Sequence, residues 1–252
     1  MDVDKGESVS RSAKGKRERV RVQVDAFAKR LIVDETFASL YRPETPATGC
    51  VWDALAAPLL ALPPRRRRRV LLLGLGGGSV ARIVRSLAPE AIVVGVEFDP
   101  EVVRQARAHF ALDELDLEIC IDDALAVLRR EKRRFDLVVE DVFIGRGDAV
   151  HKPDWLPHPG LDLAAGLLAP GGLLVSNALD EASSIAGALN SRFPGLIRIE
   201  VEDYDNRIFV AGPATLDART LRAAVAADPV LSPSLGILRF RDWRRLGRGS
   251  RN

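Results

Sequence analysis

A glycine-rich loop between a strand-like and a helix-like segment is the first feature of this sequence that could bind a ligand. The loop comprises Gly74, Leu75, Gly76, Gly77, Gly78 and Ser79. Residues 70–73 before it are continuously apolar, and glycine lets the chain turn tightly and bring its backbone close to a ligand. The pattern indicates a nucleotide-type ligand, with a tight turn that binds nothing as the alternative.

Acidic residues end the next two strand-like segments. Glu97 lies 23 residues after Gly74, where a carboxylate can accept hydrogen bonds from both ribose hydroxyls of an adenosine. Asp122 and Asp123 end the third segment and open a helix, so Asp123 is either a helix N-cap or an acceptor for an adenine amino group, and one side chain can do both. Because the carboxyl ends of parallel strands meet at one edge of a sheet, these positions together predict an adenosine pocket.

A further carboxylate, Asp141, follows the fourth strand-like segment, residues 135–140. Attack on an activated carbon needs an uncharged nucleophile held in line, and a carboxylate can orient an amine and accept its proton. Asp141 is therefore the candidate catalytic residue, and the alternative is that it only caps the loop after the strand. Glu140 is a weaker candidate for substrate contact because neighbouring side chains alternate across a strand.

The segment 142–160 that follows has no strand or helix pattern and is long enough to cover an acceptor. Trp155 within it either stacks on a substrate or anchors the loop to the core. Tyr41, Trp52 and Asp53 are predicted to line the same cleft from the N-terminal side, with packing as the alternative for Trp52. The histidines and acids of the segment match no standard metal spacing, so we expect no metal.

The order of predicted elements positions these residues. Residues 1–18 are polar and mixed in charge, which predicts a flexible tail. Residues 19–64 begin with alternating apolar and polar residues, which indicates a small antiparallel β-sheet, followed by a helix. Residues 65–230 alternate strand and helix, which indicates an α/β domain with a mostly parallel sheet and an antiparallel last strand. Residues 231–252 are rich in arginine and are predicted to be a basic C-terminal tail.

Length and composition narrow the classes of function. The chain has 252 residues, and its 37 Lys and Arg nearly balance its 35 Asp and Glu, for a net charge of +2. This balance argues against a nucleic-acid partner, although residues 65–69 are all arginine. No apolar run is long enough to cross a bilayer or to form a signal peptide, and Cys50 and Cys120 are the only cysteines. We therefore expect a cytoplasmic protein with no membrane partner.

Residues 20–181 resemble the spermidine synthase (polyamine aminopropyltransferase) family. The segments that carry the resemblance are residues 31–34, 70–79, 97–99, 123–124 and 135–141. The resemblance implies a Rossmann-like, class I S-adenosylmethionine-dependent methyltransferase fold behind a small N-terminal antiparallel sheet. It also implies a transferase of polyamine biosynthesis, with S-adenosylmethionine or its decarboxylated form as co-substrate, a small amine-type acceptor and a homodimer.

The same resemblance implies a role for each singled-out position. Glu97 would hold the ribose, and Asp123 would hold the adenine. The loop at 74–78 would hold the sulfonium side chain of the donor. Asp141 would be the catalytic carboxylate.

Three positions depart from the family pattern. Gly77 stands where the family loop has an acid that holds the donor's amino group, and Ile144 replaces the second acid of an Asp-x-x-Asp motif. Ala38 replaces a glutamine. Two further functions therefore stay open: a methyltransferase on the same fold, and a non-catalytic protein that binds an adenosine ligand. A nicotinamide-dependent dehydrogenase is disfavoured because Ser79 replaces the last glycine of the G-x-G-x-x-G pattern.

Overall fold

The N-terminal part of the chain forms a small sheet and a buried helix. The computed structural model describes residues 19–243, so the predicted tail at 1–18 and the residues after 243 lie outside the described part of the chain. Three antiparallel strands come first, β1 (Val20–Val24), β2 (Lys29–Val33) and β3 (Thr36–Tyr41). Helix α1 (Val51–Ala56) follows, and all six of its residues are buried. The predicted sheet followed by a helix is confirmed.

A central eight-stranded sheet with helices in the connections forms the rest of the fold. Its strands are β4 (Arg69–Leu73), β5 (Ile92–Glu97), β6 (Glu118–Ile121), β7 (Phe135–Glu140), β8 (Leu168–Ala178), β9 (Gly195–Val201), β10 (Arg207–Gly212) and β11 (Leu238–Asp242). The helices are α2 (Ser79–Leu87), α3 (Pro100–His109), α4 (Ala124–Arg130), α5 (Gly160–Gly166), α6 (Ala182–Arg192) and α7 (Ala218–Ala227).

The strand order is β11-β9-β10-β8-β7-β4-β5-β6. Strands β4 to β8 pair in parallel, and β10 lies antiparallel between β8 and β9. The α/β fold with a mostly parallel sheet and an antiparallel hairpin is therefore confirmed. Strand β4 is flanked by β5 on one side and β7 on the other, so the chain reverses direction across the sheet there. The carboxyl ends of these three strands border the crevice in which such sheets bind ligands.

Strand β4 is apolar along nearly its whole length because helices cover both faces of the sheet. Val70 and Leu72 belong to one hydrophobic cluster, whereas Leu71 and Leu73 belong to the cluster on the opposite face. Alternate side chains of a strand point to opposite faces, so burial on both sides requires an unbroken apolar run. The same two-sided burial fixes the end of β4 within the sheet, and with it the start of the loop after Leu73.

The C-terminal part differs from the prediction of a basic tail over residues 231–252. Leu238–Asp242 instead form β11, which pairs with β9 as an edge strand. Leu238 and Phe240 alternate with arginines, and Leu238 is buried in the core, so the segment has the period of a half-buried strand. The charge of the arginines hid this pattern. Helix α7 was likewise not predicted, although Asp217 caps it by accepting from the Thr220 N–H.

Two general properties follow from the elements just described. Within residues 19–243, no helix combines the length and the apolar character that crossing a bilayer requires. Cys50 and Cys120 are both free thiols.

Candidate active site

The glycine loop is shaped by the close approach of two strand ends. The N–H groups of Gly74 and Leu75 both donate to the Val96 carbonyl, at 3.0 and 2.9 Å, which ties the loop to the end of β5. Gly74 has a φ of +86°, and a Cβ there would lie 2.4 Å from the Asp141 carbonyl oxygen. Only glycine fits this position, because a side chain would separate the end of β4 from the residue that follows β7.

The N-terminal sheet docks directly on this loop. The Gly77 N–H donates to Ser39 Oγ at 2.7 Å. Ser79 Oγ accepts from the Leu40 N–H and donates to the Leu40 carbonyl, both at 2.9 Å. Gly77 and Ser79 are predicted from the sequence to contact the ligand. In the structure both instead bind β3, because the Gly77 N–H and the Ser79 hydroxyl form hydrogen bonds with the buried residues Ser39 and Leu40. The small polar residues of β3 were the missed signal.

Installing an acid at position 77 is expected to destabilise the fold. A Cβ on Gly77 would lie 2.8 Å from Ser39 Cβ and 3.1 Å from Phe110 Cδ1, so β3 must shift to admit any side chain. We expect Gly77→Asp to lower the free energy of unfolding by about 1–3 kcal/mol, the usual cost of overpacking. Urea unfolding measures this. Gly187→Asp is the matched control because a Cβ there meets nothing within 4 Å; equal stability of the two variants would contradict the steric reading.

Glu97 ends β5 beside the loop, as the sequence predicts. Its carboxylate accepts from the Gly76 N–H at 2.9 Å and from the Asp99 N–H at 3.1 Å. Burial raises the pKa of Glu97, and these backbone donors partly oppose the shift. Phe98, the next residue, exposes 74% of its surface although it is strongly apolar. An orienting carboxylate and an uncovered aromatic ring therefore lie next to each other at the mouth of the crevice.

The two aspartates after β6 have separate roles. Asp123 caps α4 by accepting from the Ala126 N–H at 2.8 Å, so the N-cap role is confirmed and the contact with adenine stays a prediction. Asp122 is predicted to contact the cofactor, but its carboxylate forms an ion pair with Arg130 and accepts from the Asp123 N–H at 2.7 Å. These partners keep the Asp122 side chain on the surface at the start of α4.

Asp141 lies directly after β7, where the chain turns past the glycine loop. The residue is partly exposed, and its carboxylate accepts from Asn177 Nδ2 at 2.8 Å and from the Trp52 indole. Asn206 Nδ2 in turn donates to Asn177 Oδ1 at 2.9 Å, so a chain of amides orients the carboxylate. Burial raises the pKa of Asp141 to about 7, against the opposing effects of Asn177 and of the positive charge of Lys152.

The amide pair behind Asp141 was not found from the sequence. Asn177 lies near the end of the apolar strand β8 and Asn206 lies just before β10, and these two strands pair antiparallel. A polar residue at the end of a buried strand was the available signal. Trp52 is buried and donates to Asp141, and it packs edge-on against Phe37, as the packing alternative expects; its contact with a substrate stays a prediction.

Glu140 is predicted as a weak substrate contact, and the structure contradicts this. Its carboxylate forms an ion pair with Lys152 Nζ at 2.6 Å, and both side chains are 1% exposed. Ser176 Oγ donates to the other oxygen of Glu140 at 2.5 Å. The alternation of side chains along β7 explains this outcome, because it turns Glu140 away from the face on which Asp141 begins the loop.

Asp53 is also withdrawn from the cleft. Its fully buried carboxylate accepts from the Thr48 N–H and Thr48 Oγ1, from the Gly49 N–H and from Ser234 Oγ, over distances of 2.6–2.8 Å. Because the carboxylate accepts from these four donors, it links the segment before α1 to the C-terminal part of the chain. It does not face a substrate.

The two remaining predicted contacts are packing residues. The Tyr41 ring lies against Phe110 and under the Arg82 guanidinium, whose Cζ is 4.4 Å from the ring centroid. The Trp155 ring packs so closely on Gly160 that a Cβ there would lie 2.4 Å from Trp155 Cε3. Trp155 therefore anchors its loop to the start of α5, the alternative that the sequence left open.

The described residues contain no candidate metal centre. Between residues 19 and 243, no group of three or more His, Cys, Asp or Glu is arranged to hold an ion. His158 Nδ1 instead lies 2.6 Å from Asp162, an exposed contact one helical turn away.

Comparison with solved structures bears on the fold. A probable spermidine synthase from Corynebacterium glutamicum superimposes with a TM-score of 0.70 at 20% identity, covering 94% of this chain and 91% of that one. Human methyltransferase-like protein 13, in complex with SAH, superimposes with a TM-score of 0.57 at 21% identity, covering 79% and 95%. Likenesses at this level of identity show a shared architecture.

Comparison with curated sequences gives relatives of the same two kinds. An eEF1A lysine and N-terminal methyltransferase homolog from Drosophila pseudoobscura is 28% identical over 153 residues, which is 56% of this chain and 23% of that protein. A polyamine aminopropyltransferase from Chromobacterium violaceum is 35% identical over 80 residues, 31% of each chain. The chain thus spans less than a third of the length of either relative.

A family model described as a methyltransferase domain matches residues 70–172, the span from β4 through the turn inside β8. This span contains the glycine loop, Glu97 and Asp141. The chain therefore contains a domain of the class I S-adenosylmethionine-dependent methyltransferase fold, an architecture that it shares with the solved methyltransferase and spermidine synthase structures.

Proposed function

We propose that this chain is a cytoplasmic transferase that binds S-adenosylmethionine or its decarboxylated form and alkylates a small amine-type acceptor. The observation that carries the proposal is Asp141, a partly exposed residue at the switch point of the sheet whose side-chain pKa burial raises to about 7. Carboxylates with strongly raised pKa values in a cleft mark sites of proton transfer.

The residues around the crevice fit the donor. Glu97 offers carboxylate oxygens at the end of β5, where ribose hydroxyls bind in such sheets. The exposed ring of Phe98 gives a flat apolar face beside Glu97 for an adenine. When bound, the donor supplies an electrophilic carbon next to a sulfonium.

Asp141 then performs the proton chemistry. An amine attacks only in its uncharged form, so a proton must leave the acceptor nitrogen as the new bond forms. Near neutral pH the Asp141 carboxylate exists in both protonation states because its pKa is about 7. The Trp52 and Asn177 donors hold the carboxylate in one orientation, which places its accepting oxygen reproducibly at the crevice.

A methyltransferase is the second candidate function, and two departures from the spermidine synthase pattern favour it. Ser39 fills the space beside Gly77, so the loop cannot carry an acid to hold the amino group of a decarboxylated donor. Ile144, which replaces the second acid of the family motif, is also exposed. The first feature removes a carboxylate that could hold the donor's amino group, and the second removes one that could select a diamine. Both support transfer of a methyl group to a singly charged or neutral acceptor.

Calorimetric titration of the protein with S-adenosylmethionine, its decarboxylated form and methylthioadenosine separates these functions. Preference for the decarboxylated donor supports aminopropyl transfer, and preference for the intact donor supports methyl transfer. Binding without any acceptor-dependent product in a following mass-spectrometric screen of amines would support the non-catalytic alternative. Binding of none of the three would overturn the proposal.

Glu97→Gln tests the donor site within the same titrations. Loss of the charged acceptor of the ribose hydroxyls removes hydrogen bonds that contribute about 1.5–3 kcal/mol each when one partner is ionised. We therefore expect donor affinity to fall roughly tenfold or more. Glu90→Gln, at the other end of β5 and exposed, is the matched control and should bind as the wild type does. Equal affinity of the two variants would remove Glu97 from the donor site.

A further inference from the structure

A buried ion pair lies immediately behind the candidate catalytic carboxylate. Lys152 Nζ is 2.6 Å from Glu140 Oε1, and each side chain is 1% exposed. Removing two charges from water costs nearly as much as their attraction returns, so such a pair is a poor device for stability alone. Its position next to Asp141 suggests a different role.

The pair holds both backbone polar groups of Val142, the residue that follows Asp141. Glu140 Oε1 accepts from the Val142 N–H at 2.8 Å, and Lys152 Nζ donates to the Val142 carbonyl at 2.9 Å. Asp141 thus lies between Glu140, which is fixed in β7, and Val142, which is fixed by the pair. The direction in which the Asp141 side chain leaves the backbone depends on these contacts.

The same lysine anchors the returning end of the segment over the cleft, residues 142–152, here called the strap. The strap closes on itself through two 2.9 Å hydrogen bonds between Ile144 and His151, and Gly147 N–H donates to the Asp34 carbonyl at 2.8 Å. At its far end, the Lys152 N–H donates to Glu181 Oε1 at 2.7 Å. Lys152 therefore joins the strap to two elements at once, to the end of β7 through its side chain and to the start of α6 through its backbone.

Lys152 also organises the first turn of the strap. Its ammonium lies 3.8 Å from the centroid of the Phe143 ring, a cation–π contact made away from water. One buried charge, that of Lys152, contacts both Val142 and Phe143. Asp141 directly precedes these two residues at the mouth of the crevice. A site that must place a carboxylate accurately requires such support behind it.

We propose that the Glu140–Lys152 ion pair is the positioning element of this site, which orients Asp141 and fixes the strap against the acceptor crevice. The inference rests on the proposed function in one respect, because that function makes Asp141 the base that accepts the acceptor's proton. Four groups act on the Asp141 carboxyl. Lys152 and Glu140 act through their charges, and Trp52 and Asn177 donate hydrogen bonds to it. The charge of Lys152 lowers the pKa of Asp141 and that of Glu140 raises it, with the lysine effect the larger.

The test compares three variants by an observable that needs no substrate. Lys152→Met removes the positive charge, and Glu140→Gln/Lys152→Met replaces the whole pair by neutral side chains of similar size. Lys132→Met, at an exposed lysine before β7, is the matched control. Asp141 is followed by carbon-13 NMR of aspartate-labelled protein over a pH titration, with its resonance assigned by its absence in Asp141→Asn.

We expect Lys152→Met to raise the pH at which Asp141 titrates by at least half a unit, and Lys132→Met to leave it unchanged. The double variant should fold, keep its donor affinity within about threefold and lose at least tenfold in kcat with a smaller change in acceptor KM. Should the single variant fail to fold, the double variant decides, since neutral pairs commonly replace buried ion pairs without loss of the fold.

A double variant that titrates at Asp141 and turns over as the wild type does would overturn the proposal. Failure of the proposed function has a different signature. In that case no acceptor is consumed by the wild type, yet the NMR titration of Asp141 still reports whether Lys152 and Glu140 control its environment. A shift in Lys152→Met supports the positioning role, and an unchanged titration refutes it.

Discussion

Replacing Asp141 by asparagine is expected to lower kcat about 10²–10⁴-fold, the usual contribution of a positioned general base. Asparagine keeps the shape of the side chain and can still contact Asn177 and Trp52, but it cannot take a proton from the acceptor. Donor affinity should stay within a few-fold because Glu97 and the glycine loop are unchanged. Single-turnover assays with an acceptor found by the mass-spectrometric screen of amines measure the effect. Asp154→Asn, at an exposed acid of the same connection, is the control; turnover lost equally in both would point away from Asp141.

The pH dependence of the wild type follows from the same residue. A base acts only when ionised, so kcat/KM should rise with pH through about 7 and then level off, and this inflection should be absent from Asp141→Asn. The effect on stability has the opposite sign. Since burial raises the folded-state pKa of Asp141 from 3.8 to about 7, its favourable contribution is complete below about pH 4 and is lost as pH rises through 7. Above pH 7, Asp141→Asn should therefore unfold at higher urea concentrations than the wild type.

Replacing Asp53 by alanine is expected to destabilise the protein by about 3–5 kcal/mol, because several donors lose their acceptor and each buried donor left unpaired costs about 1–3 kcal/mol. The variant leaves the Thr48 N–H and the Thr48 and Ser234 hydroxyls buried without their acceptor. Urea unfolding measures the loss. Asp113→Ala, which breaks only an exposed contact with Arg107, should cost less than about 1 kcal/mol. A similar small change in both variants would mean that the Asp53 carboxylate does not hold the two parts of the chain together.

The alternation of strands and helices, the strand-end positions of Glu97 and Asp141 and the antiparallel hairpin could all be predicted from the sequence. Each is a local pattern, because a buried strand, the glycine turn after it and the acid at its end lie within a few residues of one another. The N-cap role of Asp123 is local in the same way. Such features need no knowledge of which distant segments come together.

The missed features depend on contacts between segments that are far apart in the chain. Ser39 meets Gly77 38 residues later, and Asp53 meets Ser234 181 residues later. Neither residue type signals its partner, since serine and aspartate are common on surfaces. Lys152 was overlooked because a lysine in a long loop is ordinarily solvated, and only the closed strap brings it to Glu140. The edge strand β11 was missed because its arginines suggested a tail.

The docking of Ser39 on the glycine loop has an evolutionary consequence. Because Ser39 fills the space that a side chain at position 77 would need, neither position can change freely while the other is kept. A lineage that moved between a loop with an acid and a loop of glycines must have altered β3 of the N-terminal sheet in step. Descendants of this chain are therefore expected to show paired substitutions at 39 and 77. Changes in the glycine loop would then be accompanied by changes in β3, a strand outside residues 70–172, the span that matches the methyltransferase domain.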